Sequence, residues 1–90
     1  MKQRTLSIQR GRSKIVSKPF DFEAMCIVDD AHKKGTGAIR AGMEAVYYLF
    51  TGTSVTDEDI HALSYEKQTE LAMRVFKWYG EAAENALKNL

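Results

Sequence analysis

The run Pro19-Phe20-Asp21-Phe22-Glu23-Ala24-Met25-Cys26-Ile27-Val28-Asp29-Asp30-Ala31 constrains this chain more than any other stretch, because it forces a change of structure at one corner. Proline fixes φ and removes a backbone donor, so it ends what precedes it, and Asp21 is a natural N-cap for a helix running to about Lys34. Before the corner, Thr5-Leu6-Ser7-Ile8-Gln9 alternates apolar and polar residues, and Lys14-Ile15-Val16-Ser17-Lys18 is again β-prone. These runs predict a hairpin with Gly11 at the first central position of a two-residue type II′ turn. That register sets Ile8 opposite Ile15 and Leu6 opposite Ser17. A ribbon with so few apolar residues cannot stand alone; it must lie on helices or pair with another chain.

After the corner the periodicity is helical. Phe20, Ala24, Ile27, Val28 and Ala31 fall on one face, Lys33 and Lys34 suit the negative end of the helix dipole, and Gly35 supplies the stop. A second helix is expected over roughly Ala38 to Thr51, with Ile39, Met43, Val46 and Phe50 as an apolar stripe. Gly42 there allows close approach of another backbone. Ala41, Ala45, Tyr47, Tyr48 and Leu49 leave its other faces hardly polar, which makes it the candidate central helix. Thr56-Asp57-Glu58-Asp59 caps a short helix through Leu63, and Ser64 caps the last one. From Tyr65 to Leu90, Ala72, Phe76, Tyr79, Ala83, Ala86 and Leu90 keep helical spacing. A helix of that length reaches about 39 Å. A domain of this size has a radius of gyration near ~12 Å, so the helix end is expected to project toward a partner. The chain therefore reads as one mainly α (α+β) domain over residues 1–90. It comprises a basic β-hairpin arm at 1–18 and a body at 20–90 of about four helices, the last one long.

Charge is divided unevenly between these parts. Residues 1–20 hold Lys2, Arg4, Arg10, Arg12, Lys14 and Lys18 and no acid, whereas the remaining seventy carry seven bases against twelve acids. The plainest reading of the arm is a pair of solvated edge strands guarded by Lys and Arg. It also fits an arm docking on the acidic face of a neighbouring copy, or a nucleic-acid-binding arm using Arg10, Arg12, Lys14 and Lys18. The last is the weakest of the three, because no aromatic residue before Phe20 offers a base a stacking surface and the acidic body repels a nucleic acid. At 44% hydrophobic and 28% charged the chain is ordinary for a globular protein, which excludes wholesale disorder. The lone Cys26 forms no internal disulfide and sits in an apolar run, where burial and an inert thiol are expected. A reducing, cytoplasmic setting fits, with neither a signal peptide nor a membrane anchor expected.

Catalytic and ligand-binding constellations are thin. Asp57 with His61 and Asp29 with His32 each bring two metal-ligand types together, but a zinc or iron site takes at least three. Asp29 and Asp30 are consecutive on a helix and do not face one another. Lys33-Lys34-Gly35-Thr36-Gly37 precedes a helix start yet has the spacing of neither a P-loop nor a dinucleotide turn, so it reads as an interhelical turn. No catalytic residue, cofactor or metal ligand is assigned, and no enzyme is expected. Phe76, Trp78 and Tyr79 crowd one turn and cannot all point inward. Trp78, Tyr79, Leu87 and Leu90 are accordingly the candidate positions for binding a helical client or another copy.

The block Phe20-Asp21-Phe22-Glu23-Ala24-Met25-Cys26-Ile27-Val28-Asp29-Asp30 resembles the small tail assembly chaperones of long-tailed bacteriophages: a β-prone lead-in, a phenylalanine-containing helix start, an apolar turn and an acidic pair. The similarity continues through a glycine turn, the Ala- and Gly-containing helix at Ala38 to Phe50, and Val55-Thr56-Asp57-Glu58-Asp59-Ile60. The resemblance covers residues 5 to 80, with the acidic pair being Asp29-Asp30 where a glutamate is expected. It implies a non-enzymatic assembly factor that binds the tape measure protein and helps tail tube protein polymerise around it. Such a factor works in the host cytoplasm, in several copies, and is absent from the mature virion. The alternative from another class is a small nucleic-acid-binding regulator that uses the hairpin.

Overall fold

A computed structural model describes residues 3–90; Lys2, counted above in the basic arm, lies outside them. In order, the elements are β1 (Ser7–Arg10), β2 (Ser13–Val16), α1 (Phe22–Lys33), α2 (Ala38–Leu49), α3 (Asp57–His61) and α4 (Tyr65–Lys88). The fold is thus the expected hairpin followed by four helices, the last of them long.

β1 and β2 pair antiparallel with Ile8 opposite Ile15 and Arg10 opposite Ser13, leaving Gly11-Arg12 as the two-residue turn. Gly11 has φ +61° and no described non-glycine residue has positive φ, which selects the II′ turn over I′. Leu6 and Ile8 are buried in the core. Beside them Ser17 replaces the hydration it loses: its hydroxyl accepts from the Leu6 N–H at 2.9 Å and donates to the Lys18 carbonyl at 2.7 Å. Backbone bonds from Lys18 N–H to the Leu49 carbonyl and from Phe20 N–H to the Arg4 carbonyl tie the ribbon to the body.

All four helices begin where local chemistry places them. The Asp21 carboxylate accepts from Ala24 N–H, Thr56 and Asp59 form a reciprocal capping box, and Ser64 accepts from Lys67 N–H. Gly37 opens α2 at φ +93° with no side-chain cap. α2 is central, as expected, and packs on both α4 and α1. Of the expected stripe Val46 and Phe50 are buried, but Met43 is half-buried and Ile39 42% exposed, and Ala41, Gly42, Ala45 and Leu49 complete the buried face. The reason is Gly42, which rotates the face of closest packing toward small residues. A Cβ on Gly42 would lie 2.7 Å from the Ala72 carbonyl carbon and 2.9 Å from its Cα, so α2 and α4 touch backbone to backbone.

The core collects Leu6, Val28, Val46, Leu49, Phe50, Ile60, Leu71 and Val75. On α4 the buried residues are Leu71, Ala72 and Val75, all in its first half, and every residue from Glu84 onward is exposed. The helix overruns the core, consistent with a long dimension of 45 Å against 32 and 21 Å and a radius of gyration of 13.2 Å.

Candidate functional site

α1 presents two stripes. Ala24, Val28 and Ala31 enter the core, while Phe22, Met25, Asp29 and His32, again at three- and four-residue steps, turn toward α4. At the far end of this seam the helices are in contact. The Tyr79 hydroxyl donates to Asp29 Oδ1 at 2.7 Å, and the His32 ring meets Phe76 and Tyr79 with centroids 5.4 and 6.0 Å apart. Toward the α1 N-terminus the seam opens into an apolar groove of about 740 Å³ lined by Pro19, Phe20, Phe22, Met25, Ala82 and Ala86, with polar lining from Gln3, Arg4 and Asp21. Phe22, the first residue of α1, is 80% exposed beside it.

The corner that forms one wall is tightly held. Phe20 packs on Trp78 with ring centroids 5.8 Å apart. The Tyr48 hydroxyl donates to Asp21 Oδ2 at 2.7 Å, and the Lys18 ammonium lies 3.8 Å from the centre of the Tyr48 ring. The Tyr48 bond and the Ala24 N–H hold the Asp21 carboxyl below its ordinary value, and the same bond pushes Tyr48 up to about 12. Asp29 is likewise lowered, first by Lys33 at 2.9 Å and then by Tyr79. Along the groove, Arg4 pairs with Glu81 at 3.4 Å, and a polar depression lined by Arg4, Glu81, Glu84, Asn85 and Lys88 adjoins it. The groove thus combines an apolar floor with a solvent-exposed rim of mixed charge.

The sequence-derived candidates fall into two groups. Trp78 and Tyr79 are half-buried, the first packed on Phe20 and the second hydrogen-bonded to Asp29, whereas Leu87 is 70% exposed and Leu90 fully so. Trp78 acts on the groove from behind, through Phe20. In the arm, Arg10 Nη1 donates to the Ser54 carbonyl at 2.6 Å and pairs with Asp59 at 3.3 Å, so the basic arm docks on the acidic body of its own chain. Lys18 is held over Tyr48; Arg12 and Lys14 stay exposed. Sequence reasoning overlooked Phe22 and Met25 as surface residues. The signal was their 3–4 spacing with Asp29 and His32, a second stripe beside the core stripe of the same helix.

In the remaining constellations the side chains are taken up by other partners. Asp29 is engaged by Lys33 and Tyr79, and His61 lies edge-on to Tyr47 with centroids 5.3 Å apart. Among the described residues there is no group of three or more His, Cys, Asp or Glu able to hold a metal ion. Cys26 is half-buried rather than enclosed, because it lies between the core stripe and the outer face of α1. No described helix is long and apolar enough to cross a membrane. No family model, curated protein or solved structure matches the chain.

Proposed function

We propose that the protein is a non-enzymatic tail assembly chaperone that binds an amphipathic helix of the tape measure protein in the groove between α1 and α4 and assists tail tube protein in assembling around it. The observation that supports this reading is the groove itself. Two helices in contact at one end leave Phe22, Met25, Ala82 and Ala86 lining an open groove at the other. Phe22 and Met25 are the larger anchors, the alanines let a backbone approach, and the Arg4–Glu81 pair with Glu84 and Lys88 gives the polar shoulder of an amphipathic segment its partners. In this role the protein acts in the host cytoplasm and leaves the particle before it is mature. The alternative, a nucleic-acid-binding regulator, has less support: Arg10 and Lys18 are engaged within the chain, leaving Arg12 and Lys14 a small charge for a phosphate backbone.

The test is co-purification of tape measure protein with the wild-type chain and with Phe22→Asp. Phe22 is outside the core, so the variant is expected to keep its far-UV circular dichroism and lose the client. A folded variant that retains the client places the binding surface elsewhere.

A further inference from the structure

α4 carries an apolar seam that the fold of one chain does not use. Met73, Phe76, Gly80, Ala83, Leu87 and Leu90 recur at alternating steps of three and four, the spacing of a two-helix seam. At 3.6 residues per turn this seam lies about a third of the way round the helix from the buried Leu71, Ala72 and Val75. Most of its members are open: Met73 is 44% exposed and Leu87 and Leu90 more so, while Ala83 is half-buried and Phe76 leans back on the body, against His32 and Tyr79. Gly80 is the most telling of them. Glycine weakens a helix interior, and here nothing in the chain requires it, since a Cβ at Gly80 would meet no atom within 4 Å. Gly42, by contrast, is explained by the Ala72 backbone pressed against it. A glycine at the middle of an exposed seam suits the close approach of a second helix.

We propose that this seam pairs two copies of the chain antiparallel, about a two-fold axis passing between residues 81 and 82. In that register Gly80 faces Ala83 of the second copy, Leu87 faces Phe76 and Leu90 faces Met73, so small residues meet at the centre and large ones on either side. Charge selects the same arrangement. The seam is flanked by Glu70, Lys77 and Glu84, and the two-fold sets Lys77 of each copy beside Glu84 of the other. A parallel pair would instead set Lys77 beside Ala72 and Glu84 beside Tyr79 of the second copy, on the side of α4 that carries the body. The axis also falls where the core ends: Ala82 and Ala83 are half-buried and everything from Glu84 is exposed, so the two bodies lie toward opposite ends of the paired helices. The groove beside Ala82 and Ala86 is a neighbouring face of α4 that shares Glu84 with this seam, and the pairing is read on the chain alone, with nothing in the groove.

Sedimentation equilibrium over a wide concentration range tests this on the wild type, Leu87→Glu, Lys77→Glu, Glu84→Lys and the double variant K77E/E84K. Circular dichroism checks that each is folded; Glu84 also pairs with Lys88 at 3.3 Å within its own helix. The expected result is a wild-type dimer, no dimer for Leu87→Glu, a dissociation constant raised about three- to tenfold by either single charge reversal, and near wild-type affinity in the double variant. A wild type that stays monomeric overturns the proposal. So does a Leu87→Glu variant that dimerises normally, or a double variant no tighter than the weaker single one.

Discussion

The two halves of α4 are one continuous helix with opposite employment. From Tyr65 to about Tyr79 it is a structural member: Leu71, Ala72 and Val75 are buried, Ala72 lies against Gly42, and Tyr79 is bonded to α1. From Gly80 onward no residue is buried: Glu81 to Ala83 are half-buried, every residue from Glu84 is exposed, Ala82 and Ala86 line an open groove, and Leu87 stands in solvent. Isolated short helices are marginal in water, so the second half persists because the first half is packed and the helix propagates from it. Apolar residues kept along a helix after its own core has ended point to something outside the core.

The sharpest contrast between the halves lies in their glycine contacts. Gly42→Ala pushes a methyl group into the Ala72 backbone and is expected to cost about 3 kcal/mol, read as a fall in the urea midpoint. Leu71→Ala, in the packed half, should cost a similar ~3 kcal/mol by leaving a cavity. The ties beside the groove respond to pH. Asp21 has a folded pKa below 3.8, so its contribution is full above that value and is lost as pH falls through the folded one. Tyr48 is raised from 10.0 to about 12, so its contribution is full below pH 10 and fades as pH rises toward 12. Tyr48→Phe should therefore lower the melting temperature at neutral pH and shrink its decline between pH 10 and 12; a profile unchanged by the substitution would mean that the Asp21 bond is not made in solution. In the uncovered half the effects are small or reversed. Gly80→Ala at a dilution that keeps the chain monomeric should stabilise it by about 0.5–1 kcal/mol, and Leu87→Ala should change its stability by less than about 0.5 kcal/mol. A large loss from either would erase the division between the halves.

The parts of this fold that were legible in the sequence are those fixed by local chemistry. Gly11 announces the II′ turn, Asp21, Thr56 and Ser64 announce their helices, and the Ile8–Ile15 register follows from the turn. The parts that were not legible depend on distant partners. Ile39 looks like a core residue by periodicity, but the backbone contact at Gly42 turns α2 so that alanines pack and Ile39 faces out. Arg10 reads as a free charge until the chain brings Ser54 and Asp59 beside it. The groove escaped notice for the same reason: Phe22 and Met25 sit beside a core stripe, and only the divergence of α1 from α4 leaves them open.

The most direct test of the division within α4 is amide hydrogen exchange along the helix, measured on dilute protein alone and with tape measure protein added. Amides near Leu71 and Val75 are expected to be strongly protected throughout. Those from Glu81 to Lys88, with those near Met25, should exchange faster in the free protein and gain protection on addition. Uniform protection along α4 in the free monomer, or bound client with no change at these positions, would contradict it.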